Sequence, residues 1–287
     1  MSASALISAA SLRTALEGGS DVRVLDVRYV LGRTDGHDTY LAGHIPGAVF
    51  ADLEGEFAGH GVPSDGRHPL PDDEALEQAA RRWGIRQGQP VVVYDDSRSL
   101  PAARAWWALQ RAGVADVRVL DGGLAAWHDA GGAIEEGEVV PPAGDVVLGR
   151  PGTADILTTP QVPEWAGVLL DARAAERFRG ESEPIDPVAG HIPGARNLPI
   201  AQVLTADGRF RSPEEIAEEF EAVGAGEEVL IAAYCGSGVT AAQLALAGAL
   251  IGREVTVYPG SWSAWSNTPG LPIETGAVPA EADPLEE

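Results

Sequence analysis

Hydrophobic residues along the chain fall into two kinds of pattern. Short apolar runs at Val168 to Leu170, Val229 to Tyr234 and Val255 to Tyr258 have the length of strands, and the middle run is apolar throughout, as a strand buried on both faces would be. Elsewhere apolar residues recur at helical spacing. Pro213 to Val223 reads as a helix opened by Ser212, with Glu215 three residues on to complete a capping box. Thr240 to Ile251 reads as an Ala/Leu-rich helix, and Met1 to Leu16 as a Ser/Ala-rich one. Strands alternating with helices predict an α/β fold, a mostly parallel sheet flanked by helices. In such sheets ligands bind beyond the carboxyl ends of the strands.

The pattern occurs twice. Leu25-Asp26-Val27-Arg28 returns as Leu170-Asp171-Ala172-Arg173, and His44-Ile45-Pro46-Gly47-Ala48 returns as His191-Ile192-Pro193-Gly194-Ala195. Val91 to Tyr94 answers Leu230 to Tyr234, and Gly123 to Trp127 answers Ser261 to Trp265, all in the same order. An ordered series of matches at nearly constant offset is the signature of a duplication. It divides the chain into a first unit over 1–134 and a second over 164–275. The segment 135–163 carries an acidic run and several Pro and Gly residues, which suits an extended linker. The tail 276–287 is Ala/Pro/Glu-rich without aromatics and is expected to lie loosely.

Composition then removes several chemistries. The chain has 43 Asp and Glu against 20 basic residues, a formal net charge of −23, so a nucleic-acid partner is excluded by charge. All 20 basic residues are Arg, and the absence of Lys rules out Schiff-base catalysis and a Walker-type phosphate loop. No apolar run is long enough for a membrane span, and the N-terminus lacks a basic leader pattern, which predicts a cytoplasmic protein. One cysteine, Cys235, can form neither an internal disulfide nor a multi-cysteine metal cage.

That cysteine ends the middle apolar run and precedes a helix, in Tyr234-Cys235-Gly236-Ser237-Gly238-Val239-Thr240-Ala241. Two glycines let the backbone curl so that amide N–H groups converge on the sulfur, and the helix adds its positive end. Such a loop is expected to favour the thiolate and to hold an anion on or near Cys235.

Cys235 to Ala241, together with Tyr258-Pro259-Gly260-Ser261-Trp262 and Gly190-His191-Ile192-Pro193-Gly194-Ala195, resembles the tandem-domain rhodanese family of thiosulfate and 3-mercaptopyruvate sulfurtransferases. The resemblance runs from Leu25 to Trp265. It implies two tandem rhodanese-like domains, the second catalytic and the first degenerate, and here Asp95 stands where the second copy has Cys235. It further implies a double displacement through a Cys235 persulfide, cradled by Gly236, Ser237, Gly238, Val239 and Thr240, with no metal or organic cofactor. The implied partners are a small anionic sulfur donor and a thiol, cyanide or thioredoxin-like acceptor.

Arg177 matches the family's substrate-binding Arg, and Arg179 is a second candidate clamp for the donor's negative end. Ser237 is the candidate to hydrogen-bond a carbonyl or relay a proton. In the mercaptopyruvate enzymes a first-domain Asp completes the site, and Glu54 stands at its position, with Asp52 and His68 in the same stretch. The loop resembles that of the mercaptopyruvate enzymes, because thiosulfate enzymes place Arg and Lys at its second and third positions. Asp186 points the other way, since mercaptopyruvate enzymes carry an Arg there. The loop, nearer the sulfur, favours 3-mercaptopyruvate, with thiosulfate the alternative.

Several conspicuous residues read as structural. His44 and His191 occur in both copies, as do the pairs Asp26/Arg28 and Asp171/Arg173, so neither set marks an active half. Trp106, Trp107, Trp127, Trp262 and Trp265 read as core or interface aromatics. Phosphate hydrolysis through cysteine needs an Arg six residues after it, and that position is Ala241. A noncatalytic binding module is opposed by the retained thiol, loop and Arg177.

Overall fold

The computed structural model describes residues 4–149 and 156–277. In the first half β1 (Leu6–Ile7) is followed by α1 (Ala9–Glu17), β2 (Arg23–Asp26), α2 (Gly36–Ala42), β3 (Val49–Phe50) and α3 (Leu53–Glu56). Then come α4 (Asp73–Arg82), β4 (Val91–Tyr94), α5 (Leu100–Arg111), β5 (Val117–Leu120) and α6 (Gly123–Asp129). Its five strands form one parallel sheet in the order β1-β5-β4-β2-β3. The second half contributes β6 (Val168–Asp171), α7 (Ala175–Phe178), β7 (Arg196–Asn197), α8 (Pro213–Ala222) and β8 (Ile231–Tyr234). It ends with α9 (Val239–Leu250), β9 (Val255–Val257) and α10 (Ser261–Ser266).

The second sheet, β7-β6-β8-β9, is also parallel throughout, and Ile156 bridges Val257 where β1 would stand. The duplication read in the sequence is therefore a duplication of topology. In both halves the central strand is buried along its whole length, so it is apolar at every position rather than alternating.

Several sequence expectations shift at their edges, and β6, α8 and α9 differ from them by one residue at one end or both. Met1 to Leu16 is not one helix: Leu6 and Ile7 pair with Val119 and Leu120 at the sheet edge, and Ser8 caps a helix that starts only at Ala9. The middle strand begins at Ile231 rather than Val229, because Val229 and Leu230 precede the sheet and stand 36% and 62% exposed. Val255 to Tyr258 loses its last residue: the ladder ends at the Ala233–Val257 pair, and Tyr258 adds only an amide bond to the Ala233 carbonyl.

The segment 135–149 lies along the first half, with Glu135 bridged to His44 and buried Val146 bonded to Ile85. Beyond the undescribed residues 150–155, Ile156 and Leu157 join the second sheet. The expected loose tail lies outside the described residues except for Gly276, whose amide bonds to Arg179, and Ala277.

One buried device recurs in each half. Arg28 grips Asp26 with two nitrogens and bonds the Gly43 carbonyl, while the Tyr94 hydroxyl donates to Asp26 at 2.5 Å. Arg173 repeats this on Asp171 and Gly190, beside Tyr234. A fully paired guanidinium ties the strand end to the His-Ile-Pro-Gly-Ala turn, which is why both motifs come as a pair in each copy. His44 and His191 hydrogen-bond backbone carbonyls within their own halves and stack on Tyr40 and Phe178. Their role is packing.

The halves meet along α5 and α9, both buried over most of their length. Their Ala-rich faces, including Ala102, Ala105, Ala241 and Ala245, let the two backbones approach closely. Directional bonds cross the same seam: Gln243 donates to the Arg98 carbonyl at 2.7 Å, and the Arg67 amide donates to Ser263 at 3.0 Å. The carboxyl end of β8 opens onto this seam.

Candidate active site

Cys235 stands at the end of β8, where the chain must reverse into α9. Gly238 makes the reversal at φ +81°, and a side chain there would strike the Pro259 carbonyl at 2.5 Å. Gly238 is also the residue before the first turn of α9, so its amide points back and lies 3.1 Å from Cys235 Sγ. The backbone of Cys235 is held from the other side by buried Ser261, whose hydroxyl accepts from the Cys235 amide and donates to the Tyr258 carbonyl. Cys235 itself is 2% exposed, at the floor of a cleft of about 280 Å³.

Both halves line this cleft. Tyr29, Arg67, His68 and Leu100 come from the first, and Arg173, Arg177, Ser237 and Thr240 from the second. The sequence-predicted residues divide accordingly. Arg177, Ser237, Gly236, Val239, Thr240 and His68 meet around Cys235. Arg179 points elsewhere and pairs with Glu181 on the surface. Asp52 caps α3 by accepting from the amides of Glu54 and Gly55, which is a structural task.

A polar chain crosses the seam. His68 Nδ1 is 2.8 Å from Ser237 Oγ, and its Nε2 is 3.3 Å from the Tyr29 hydroxyl and 3.9 Å from Glu54. Burial, reinforced by the nearby guanidinium groups of Arg104 and Arg67, holds the His68 ring down at about 4. The ring is neutral at ordinary pH and carries one hydrogen, so it can both accept and donate. Tyr29 is pushed far up by burial and by Glu54, so its hydroxyl keeps its proton.

Arg177 makes a two-pronged bond to Glu183, at 3.1 and 2.6 Å, and reaches Asp186 at 3.3 Å. Asp186 also binds Arg67 from the first half. Residue patterns did not single out Arg67, Arg104, Tyr29 or Glu183. Arg104 carried a signal nonetheless, as a lone charged residue among Ala102, Ala103, Ala105, Trp106 and Trp107 on a helix buried almost all round. It is fully buried without an ion-pair partner among the described residues, and bonds the carbonyls of His68 and Gly238 at 3.1 and 3.4 Å. Burial lowers it to about 10, and Cys235 opposes that shift.

The first copy shows what the same loop does without sulfur. The Asp95 carboxylate accepts from the amides of Ser97, Ser99 and Ala102 at 2.8, 3.0 and 2.9 Å. The cradle is thus filled by a fixed side-chain anion, although burial still pushes Asp95 up to about 6. Among the described residues no group of three or more His, Cys, Asp or Glu side chains could hold a metal ion, and no helix is long and apolar enough to cross a membrane.

A cysteine at the carboxyl edge of a parallel sheet, in a fold built twice, defines a class before any comparison is made. The rhodanese-like domain profile matches residues 8–130 and 154–268, and the chain belongs to that family. It is 47% identical to the Mycobacterium tuberculosis protein named "Putative thiosulfate sulfurtransferase SseB", over 95% of this chain and 98% of the relative. It is 45% identical to the Pseudomonas aeruginosa "Probable 3-mercaptopyruvate sulfurtransferase", over 96% of this chain and all of the relative. The solved structure of the 3-mercaptopyruvate enzyme SseA from Escherichia coli superposes with a TM-score of 0.81 at 33% identity, covering 91% of this chain and 99% of that one.

Proposed function

We propose that the protein is a sulfurtransferase that takes a sulfur atom from 3-mercaptopyruvate, and less efficiently from thiosulfate, and passes it as the sulfane sulfur of a Cys235 persulfide to a thiophilic acceptor. The observation that carries this is the Gly238 amide 3.1 Å from Cys235 Sγ, at the floor of a cleft flanked by Arg177 and Ser237. In the first step the Cys235 sulfur attacks the donor sulfur. The S–S bond forms as the C–S bond breaks, and its electron pair passes into the carbonyl system as an enolate that takes up a proton to give pyruvate. In the second step the acceptor attacks the outer sulfur, and Cys235 leaves with the S–S electron pair.

Ser237 and His68 suit this donor. Negative charge develops on a carbonyl oxygen, which a hydroxyl can stabilise, while the neutral ring exchanges a proton with that hydroxyl. Thiosulfate offers no such oxygen. Its second charge is also poorly served, because the three guanidiniums of Arg67, Arg173 and Arg177 are matched by the carboxylates of Asp171, Glu183 and Asp186. The name of the Mycobacterium tuberculosis relative keeps thiosulfate as the competing donor.

The acceptor is a small thiol, cyanide or a thioredoxin-like protein. A reducing, cytoplasmic setting would keep the lone thiol competent. Intact mass after exposure to 3-mercaptopyruvate tests the reading: a gain of about 32 Da on the native protein, absent in Cys235→Ser, is expected of a covalent sulfur carrier. No gain with any donor would leave a binding module with a retained fold.

A further inference from the structure

At the end of the α5–α9 seam away from Cys235, the two halves leave a groove of about 270 Å³. It shares no lining residue with the cleft over Cys235. From Gly238, beside the sulfur, the chain runs roughly 17 Å along α9 to reach Ala249 in the groove. Trp106, Trp107 and Arg111 wall the groove from α5, Ala245 and Ala249 form its α9 side, and Arg253 and Glu254 stand just before β9.

Two of these side chains lack what burial demands of them. Trp106 is 3% exposed, yet its indole Nε1 has no hydrogen-bond acceptor among the described residues. The same holds for the buried Nε of Arg111, and no carboxylate pairs with Arg111 among the described residues. Arg253 bonds the carbonyls of Ala225 and Val229 instead of an acid, at 3.2 and 2.7 Å, which fixes its charge in place. With 43 carboxylates for 20 arginines, this is no shortage of acids. Arg104, two turns earlier on α5, adds a like charge that repels Arg111. A last-turn Arg is favoured by the helix end through charge alone, which leaves its buried N–H unmet. An acceptor brought by a ligand would relieve all three strains together.

We infer that this groove binds a planar aromatic monocarboxylate, its carboxylate met by Arg111 and the Trp106 indole N–H and its ring packed between Trp107 and the Ala245–Ala249 face. The charge count sets the valence, because two guanidiniums less Glu254 leave one positive charge. The walls set the body, since two indoles and alanine methyls offer the flat apolar area on which a ring packs. The volume lies just under the roughly 300 Å³ at which ligand pockets begin and so limits the ligand to one or two rings. Such a ligand ties both halves together opposite the catalytic cleft. It also touches Trp107, whose ring carries the Arg104 guanidinium at 5.1 Å, and Arg104 in turn braces the His68 and Gly238 carbonyls. The inference is independent of the chemistry at Cys235.

Benzoate is the probe, titrated into the full chain carrying isotope-labelled tryptophan. The indole N–H resonance of Trp106, identified by its loss in Trp106→Phe, should move saturably. No tryptophan lines the cleft over Cys235, so benzoate entering there does not mimic the effect. The dissociation constant should rise about fivefold or more in Arg111→Gln, and by as much when neutral benzamide replaces benzoate, as the loss of a charge-assisted hydrogen bond requires. Acetate, which has the charge without the ring, should bind weaker than benzoate by the same margin. A Trp106 resonance that stays in place, or any of the three differences falling short of that margin, overturns the inference. Should Arg111→Gln not fold, the benzamide and acetate comparisons on the wild-type protein decide alone. A protein that takes up no sulfur from any donor would leave this inference standing, and a groove indifferent to benzoate would leave the transferase reading standing.

Discussion

His68 Nδ1 lies 2.8 Å from Ser237 Oγ, although the first residue belongs to the half without a cysteine and the second to the loop that follows Cys235. The polar machinery is thus divided between the two copies. Replacing His68 by Gln should lower kcat for 3-mercaptopyruvate by about 100-fold, the usual worth of a positioned proton-transfer group, and lower kcat for thiosulfate far less. Equal losses with both donors, measured by steady-state kinetics with one acceptor, would assign His68 a packing role only.

His68 also makes stability depend on pH in a defined window. Its ordinary value is 6.5 and the folded protein holds it at about 4, so on acidification the unfolded chain takes up a proton that the folded one refuses. Stability should therefore fall as pH drops through that interval, by roughly 2 kcal/mol between pH 7.5 and pH 5, with no contribution from this group above it. Asp95 runs the other way, because a carboxyl raised to about 6 contributes stability that is lost as pH rises through that value. Urea unfolding of wild type and His68→Gln at both pH values isolates the histidine part as the difference between the two proteins.

Asp95→Ala should destabilise the protein by roughly 2–4 kcal/mol, since three loop amides lose their acceptor together. The effect belongs to the first half and is read by thermal or denaturant melts. Unchanged stability would mean that the amides find other partners.

Gly238→Ala should abolish transfer while the rest of the fold survives. Its φ of +81° costs a non-glycine residue about 1 kcal/mol, and the contact with the Pro259 carbonyl would force the loop open and move the amide off the sulfur. Persulfide uptake by intact mass, beside a circular dichroism spectrum, checks both halves of the statement.

Arg104→Met should leave the melting temperature unchanged or higher, because an unpaired cation in apolar surroundings is expensive to bury. Its kcat/KM should nevertheless fall tenfold or more, since this charge faces Cys235 and braces the His68 and Gly238 carbonyls. Activity retained in full would make Arg104 a remnant of packing.

Repeats and apolar runs were enough to read the two parallel sheets and the position of Cys235 at a strand end, because burial on both faces imposes an unbroken apolar run and the turn demands Gly238. The strand edges were not legible. Val229 and Leu230 are as apolar as Ile231 and differ only in where the neighbouring strand begins. Arg179, two residues from Arg177, reads in sequence as a second clamp or a solvated neighbour, and side-chain direction at the end of a short helix sends it to the surface while Arg177 enters the cleft. Arg67 and Tyr29 lie in loops whose path is set by packing against the other half, and no local spacing encodes that. Glu54 matched by position and reaches His68 only to 3.9 Å, with Tyr29 beside it.

The cleft over Cys235 has room for one small substrate and is walled by both halves. On the proposed mechanism pyruvate must therefore depart before an acceptor can approach the outer sulfur by the same doorway. Ping-pong order would then be enforced by space as much as by chemistry, and an acceptor too bulky to enter would have to present a slender, protruding nucleophile.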